Sequence, residues 1–361
     1  MRTGERLLSL DIFRGVTIAS MILVNNPGSW NHVYPPLLHA EWHGWTPTDL
    51  IFPFFLFIVG VAMSFSFAAR GNAPQLRKVL VRSLILFGLG VFMAAYPRFD
   101  LTHLRIPGVL QRIAVCYLAA SLLVLYASRK TLYWTLALLL LGYFLLLGSD
   151  LTVEGNLAAR VDRFLLGGHL WKATWDPEGL LSTFPAIATT ILGYLAGERL
   201  RPNENVEKGE NGHEKAATLF AAGWALILGG LFWSIWFPIN KNLWTSSYVL
   251  FTAGAALQFL GFLYWVVDVK KWRGWTYPAL VFGRNAIAVF ALSGLVAKSL
   301  ILYKVERRDG SLASLYQLLY ENAFASWAGP LRGSLLFALA TVLFWWIAML
   351  VLYRRRIFIA L

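Results

Sequence analysis

Ten stretches of this chain are apolar for long enough to cross a bilayer, and that pattern excludes most soluble folds. A helix rising 1.5 Å per residue needs roughly 20 apolar residues to span the hydrocarbon. The stretches are 7–25, 47–68, 79–95, 106–127, 131–149, 179–198, 216–237, 243–268, 277–302 and 331–353. The expected fold class is therefore all-α: a polytopic membrane bundle of about ten transmembrane helices, with residues 1–361 as a single domain and no soluble domain. Composition agrees. Only 14% of residues are charged, against about 25% in soluble domains.

The first apolar run carries Asp11 and Arg14 and no small-residue cleavage site ends it, so it is expected to stay as the first helix. The net charge of +13 records orientation rather than nucleic-acid affinity, because excess Lys and Arg mark cytoplasmic segments. One set of segments carries 18 of the 32 Lys and Arg: the N-terminus, 69–82, 128–130, 199–215, 269–275 and 354–356. The opposite set carries 10, and the segment 25–46 none. Both termini are expected in the cytoplasm, with 25–46 on the far side, the periplasm in a bacterium or the lumen in a eukaryotic organelle. Trp30, Trp42, Trp45, Trp171, Trp175, Trp236 and Trp244 crowd that face, mostly as interfacial anchors, with some suited to stacking on a sugar ring. The insert 199–215 is polar and without apolar period, so it is expected to be mobile. Leu312, Leu315, Leu319 and Phe324 near helical spacing predict a short helix within 311–327, in the interface or capping the bundle. The lone Cys116 excludes an intramolecular disulfide.

The chain's chemistry is concentrated in LVNNPGSWNHVYPPLLHAEWHGWTPTDLIFPFFLFIVG, residues 23–60. A polar hinge between two spans holds Asn25, Asn26, His32, His39, Glu41, His43, Thr46 and Asp49 and no Lys or Arg. Such groups at the rim of an apolar bundle mark a pathway or a site. His39 can take a proton from an attacking amine or carry an acyl group itself; the plainer alternative is a rim histidine bonded to a loop carbonyl. Asn25 can orient the histidine or donate to an oxyanion, or cap the first helix with Asn26, Pro27 and Gly28 as its turn. Asp49 can fix the His39 tautomer or complement the next helix dipole. His39 and His43 are four apart, but no HExxH is present and no metal is expected.

Further polar groups lie within or beside the spans. Asp11 and Arg14 are three apart and can pair. Arg284 with Asn285, and Arg112 with Gln111, suit a phosphate, whose geometry matches the guanidinium fork, or interhelical ion pairing. Asp176 and Glu178 in DPEGLLSTFPAI can hold an amine or sugar hydroxyls, or open a helix. No GxSxG, Walker loop, Rossmann fingerprint or CxxC is present. The hinge motif has no second copy, which weighs against the inverted repeats of many transporters.

SLDIFRG, HAEWHGWTPTDLIFPFFLFIVG, RIPGVLQRIAVCYL, DPEGLLSTFPAI, FPINKNLWTSSYVL and FGRNAI together resemble the heparan-α-glucosaminide N-acetyltransferase family, over nearly the whole chain. The resemblance implies transfer of acetyl from cytosolic acetyl-CoA to a glucosamine-type amine across the membrane. It places the active-site histidine of an H-A-x-W-x-G pattern on His39 and the preceding-helix asparagine on Asn25. Arg14, Arg284, Asn285 and Arg112 are then candidates for the CoA, and Asp176, Glu178 and Trp42 for the acceptor. The lysosomal members carry an additional lumenal region and a further helix, whereas this chain starts near SLDIFRG. The expectation is thus a bacterial inner-membrane enzyme acting on a free amino sugar or cell-wall saccharide, with the lipid bilayer and a homodimer as the other partners considered. The alternative is an amino-sugar transporter using His39 and Asp49 as a proton relay.

Overall fold

A computed structural model describes residues 7–67, 72–201, 211–307 and 309–359. Most of the insert expected to be mobile, 202–210, lies outside them. The helices are α1 (Leu8–Asn25), α2 (Ile51–Phe67), α3 (Asn72–Ala95), α4 (Val109–Tyr126), α5 (Arg129–Leu147), α6 (Leu157–Leu166), α7 (Thr183–Leu200), α8 (Gly212–Trp233), α9 (Ser246–Leu263), α10 (Tyr277–Arg284), α11 (Ala286–Leu302), α12 (Leu315–Tyr320), α13 (Ser326–Ala328) and α14 (Pro330–Arg354). The protein is an all-α polytopic bundle, as the apolar runs require.

Among the described residues, eight helices are long and apolar enough to cross a membrane, and nine if α10 and α11 are one broken span. The apolar run 277–302 predicted one helix; the structure bends it by 79° at Arg284–Asn285. The run 179–198 forms α7, which is not among the eight. Glu198 and Arg199 close it, and twelve of its 18 residues are buried, so protein rather than lipid covers most of its surface. The helix expected within 311–327 is present as α12, a π turn at Glu321–Ala325 and α13. A two-stranded antiparallel ribbon pairing Lys304–Glu306 with Leu312–Ser314, and α6 inside the polar insert 150–178, were not foreseen.

The chain divides into two compact units. The first comprises residues 1–10, 40–45 and 52–273, and the second residues 11–39, 46–51 and 274–361. In the first, α8 lies along α9, α3 along α4, and α7 packs against α4, α5 and α9. Here α2 and α7 touch backbone to backbone: a Cβ on Gly60 would stand 2.0 Å from the Thr190 carbonyl oxygen, and one on Gly193 2.1 Å from that of Phe57. Small residues permit this approach between membrane helices. Trp244, read from sequence with the interfacial tryptophans, is instead in this unit's core at 1% exposure. Its indole N–H reaches the Thr189 hydroxyl at 3.2 Å and Phe52 meets its ring edge-on. In the second unit, α10 packs against α14. A Cβ on Gly15 would fall 1.8 Å from the Ala279 carbonyl oxygen, and one on Gly283 2.1 Å from that of Asp11. That crossing brings α1 against the end of α10, where Arg284 sits.

Candidate active site

The hinge is shaped by its prolines and by short polar bonds. Asn26 closes α1: its side-chain amide donates to the Ile22 carbonyl at 2.8 Å, and the residue is buried. Asn25, the last helical residue, is exposed. The capping role that sequence left open for Asn25 therefore falls to Asn26. Beyond it, the Gly28 amide donates to the Ser334 carbonyl at 3.2 Å and the Tyr316 hydroxyl to the Pro27 carbonyl at 2.9 Å. Both bonds fix the start of the hinge within the second unit.

Two 3₁₀ turns follow, Pro35–Leu37 and Pro47–Leu50, each with proline in its first turn, where the missing N–H costs nothing. Side chains of the second turn stitch it to the first. Thr48 donates its hydroxyl to the Pro36 carbonyl at 3.1 Å, and Thr46 to the Leu38 carbonyl at 2.6 Å. The backbone on either side of His39 is therefore held from below.

His39 Nδ1 stands 2.7 Å from Asp49 Oδ1. Asp49 is completely buried, whereas the His39 side chain is 46% exposed. The other carboxylate oxygen accepts the Thr46 backbone N–H at 3.0 Å, and the Thr46 hydroxyl lies 3.2 Å away. A buried carboxylate so anchored can move little. With Nδ1–H donating to it, the neutral imidazole carries its basic lone pair on Nε2. When Nε2 takes a proton, Asp49 stabilises the imidazolium. The imidazole and the carboxylate beside it are thus ten positions apart in one hinge.

Still in the second unit, Asp11 is buried and shared by two arginines. Arg14 Nη1 is 3.1 Å from Asp11 Oδ1 and 3.4 Å from the Gly283 carbonyl. Arg284 Nε lies 3.8 Å from Asp11 Oδ2, beyond hydrogen-bond distance, and is buried with no hydrogen bond among the described residues. Two guanidinium groups thus stand beside one buried carboxylate. Asn285 is committed elsewhere. Its amide donates to the Ile357 carbonyl at 3.1 Å and accepts the Ile359 N–H at 2.8 Å, clamping the chain's last described residues.

In the first unit, Asp176 and Glu178 are occupied by Arg105, which sequence did not single out. Arg105 Nε and Nη2 reach the two oxygens of Asp176 at 2.8 and 2.7 Å, and Nη2 reaches Glu178 at 2.5 Å. The Asp176 carboxylate also accepts the backbone N–H groups of Trp171 and Glu178 at 2.7 and 2.9 Å. Burial opposes the Arg105 charge, but its bonds to Asp176 and the nearby Glu178 outweigh that and hold the guanidinium above its ordinary value. Trp42 donates its indole N–H to the Leu151 carbonyl at 2.7 Å and meets Trp175 edge-on, ring centroids 5.5 Å apart; Trp171 meets Trp175 at the same spacing. His43 accepts from the Asn240 amide at 3.4 Å, and burial keeps its imidazole below the ordinary value. Among the described residues no three His, Cys, Asp or Glu side chains converge as a metal site.

Asp162 of α6 joins the same region. Its Oδ1 accepts the Leu180 N–H at 2.8 Å. Burial and the neighbouring Asp176 push its carboxyl up to about 6. A carboxyl raised above its unfolded value holds its proton more tightly in the folded chain. Its stabilising contribution is complete below pH about 4 and is lost as pH rises to about 6. Asp162→Asn, which keeps the acceptor oxygen, is expected to lack that loss. The difference in melting temperature between wild type and variant should then shift in the variant's favour across this window. A difference constant with pH would show that Asp162 does not titrate there.

Residues 6–230 match the family described as heparan-alpha-glucosaminide N-acetyltransferase, catalytic. Two curated proteins named heparan-alpha-glucosaminide N-acetyltransferase are similar over most of the chain. The one from Homo sapiens is 31% identical over 79% of this chain and 52% of its own length, and the one from Mus musculus 31% identical over 80% and 53%. The chain spans about half the length of these curated relatives.

Proposed function

Because the chain belongs to the heparan-alpha-glucosaminide N-acetyltransferase catalytic family, we propose that it is a membrane N-acetyltransferase that moves acetyl from acetyl-CoA to the amine of a glucosamine-type sugar. The observation that carries the chemistry is the 2.7 Å approach of His39 Nδ1 to the buried Asp49 carboxylate. His39 Nε2 accepts the proton that the acceptor amine loses as its nitrogen bonds to the acetyl carbonyl carbon. His39 then returns that proton to the sulfur as the C–S bond breaks, so the products are the acetamido sugar and a free thiol. Asp49 holds the tautomer and stabilises the imidazolium between the two transfers. Asn25, exposed at the end of α1, is the amide assigned to the developing oxyanion.

Arg14 and Arg284 are assigned to the phosphates of CoA on the strength of their two neighbouring guanidinium charges and of the Arg284 Nε, which has no hydrogen bond among the described residues. Arg14 and Asn25 are eleven residues apart on α1, about 16 Å along its axis. A thin, extended pantetheine arm can bridge that length. Asn285, which holds Ile357 and Ile359, and Arg112, whose Nη2 donates to the Gly179 carbonyl and the Ser182 hydroxyl in the first unit, are not included. Trp42, three positions along the chain from His39, is the residue assigned to the acceptor ring, whereas Asp176 and Glu178 are engaged by Arg105 and are not included. The cation distribution supports both termini in the cytoplasm of a bacterium and the hinge in the periplasm.

Sidedness tests orientation and donor together. In sealed right-side-out vesicles, a bulky impermeant amino sugar outside is expected to be acetylated only when acetyl-CoA is loaded inside. Product formed with acetyl-CoA outside and none inside would overturn this orientation. Net uptake of labelled sugar without acetyl-CoA, and no acetylation in any arrangement, would favour the transporter.

A further inference from the structure

The loop between α8 and α9 closes on itself around Asn240, which is completely buried. The Asn240 backbone N–H donates to the Thr245 hydroxyl at 3.1 Å, and its side-chain oxygen accepts the Leu243 N–H at 2.9 Å. The second bond fixes which way the amide points, because a backbone N–H can be met only by the oxygen. The NH2 end is left for the other side, where it stands 3.4 Å from His43 Nδ1. The backbone next to His43 is tied to the same loop. Gly44 donates its N–H to the Ile239 carbonyl at 2.8 Å and turns the chain at a φ of 100°, a conformation that glycine adopts without steric cost. All of these residues belong to the first unit.

A buried amide aimed at an exposed imidazole has a chemical consequence. An NH2 group only donates, so His43 Nδ1 offers its lone pair and the neutral ring carries its proton on Nε2. This is the opposite tautomer to that of His39, whose Nδ1–H faces Asp49. Burial holds the His43 imidazole below its ordinary value, so near neutral pH it is an uncharged donor rather than a cation. His43 is exposed, and its ring makes no other hydrogen bond among the described residues. Its ring neighbour is Trp42, which meets it edge-on with centroids 6.2 Å apart. An apolar surface beside one oriented polar group is the usual composition of a small-ligand contact.

We infer that His43 is a binding residue for the acceptor, giving its Nε2–H to a hydroxyl oxygen of the sugar, and that Asn240 is the positioning residue that sets its tautomer. The inference rests on the assignment of Trp42 to the acceptor ring. A cationic ring here would favour a sulfated or carboxylated acceptor, whereas a neutral donor suits a plain hydroxyl.

The test uses the full chain in detergent with isotope-labelled histidine, read by nitrogen NMR; the His43 signals are those lost in His43→Leu. Wild type is expected to show Nε2 protonated and Nδ1 bare. Asn240→Asp keeps an oxygen for Leu243 but sets an acceptor against Nδ1, so the tautomer should invert. Glucosamine added to wild type should shift the Nε2 signal. In turnover, His43→Leu should raise the KM for glucosamine about 2- to 10-fold, the worth of one neutral hydrogen bond, with little change in kcat. His43→Gln, which restores an N–H donor, should recover part of that loss. An Nδ1–H tautomer in wild type, or an Nε2 signal indifferent to glucosamine, would overturn the inference whatever the rates. A glucosamine-dependent shift in a protein that acetylates no sugar would keep His43 as a sugar contact and remove the acetyl-transfer reading instead.

Discussion

His39→Ala is expected to lower acetyl transfer by about 10²–10⁴-fold, the range that a positioned general base contributes, while the protein stays folded. The second half follows from position. The imidazole is half-exposed in a hinge whose shape is held by Thr46, Thr48, Asn26 and the prolines, and without it Asp49 keeps the Thr46 N–H and hydroxyl as partners. Asp49→Asn distinguishes orientation from mere presence: the ring remains, but its Nδ1 loses a charged partner and the tautomer is no longer fixed. Initial rates at saturating acetyl-CoA, with melting temperature as the control for folding, read both variants. Near wild-type turnover from folded His39→Ala would remove His39 from the chemistry.

Arg105→Ala is expected to destabilise the first unit by about 3–5 kcal/mol, the cost of stranding buried carboxylates without their cation. Asp176 is buried and receives four bonds, two of them from Arg105. Without the guanidinium, the carboxylates of Asp176 and Glu178 face each other in a poorly hydrated setting. Arg105→Lys should fall between, because an ammonium cannot reproduce the bidentate fork. Thermal unfolding in detergent is the readout. A variant that melts with the wild type would show that water replaces the guanidinium freely.

The spans were legible because hydropathy is a local property, summed over some twenty neighbours. The bend at Arg284–Asn285 was not, since 277–302 is apolar on both sides of it and the tail that Asn285 clamps lies more than seventy residues away. The link between His39 and Asp49 was legible for the opposite reason: ten residues and two proline turns leave little freedom. The pairing of Arg105 with Asp176 crosses 71 residues, and nothing local announces it. A signal did exist. Two carboxylates in DPEG opening an apolar run require a cation, and Arg105 immediately precedes another such run. Trp244 was misplaced because a tryptophan at a span's edge reads the same whether it faces headgroups or a core. Only the three-dimensional position of Thr189 and Phe52 separates the two cases.

The tandem asparagines at the end of α1 have a bearing on how such a site can diverge. Where one residue both ends a helix and meets a substrate, variation in chemistry is constrained by folding, and the two demands trade against each other. Here the demands fall on neighbours. Asn26 binds the last turn and is buried, while Asn25 projects beyond it without that duty. On the assignment of Asn25 to the oxyanion, position 25 answers to the chemistry and position 26 to the folding of the helix end, so neither demand limits the other.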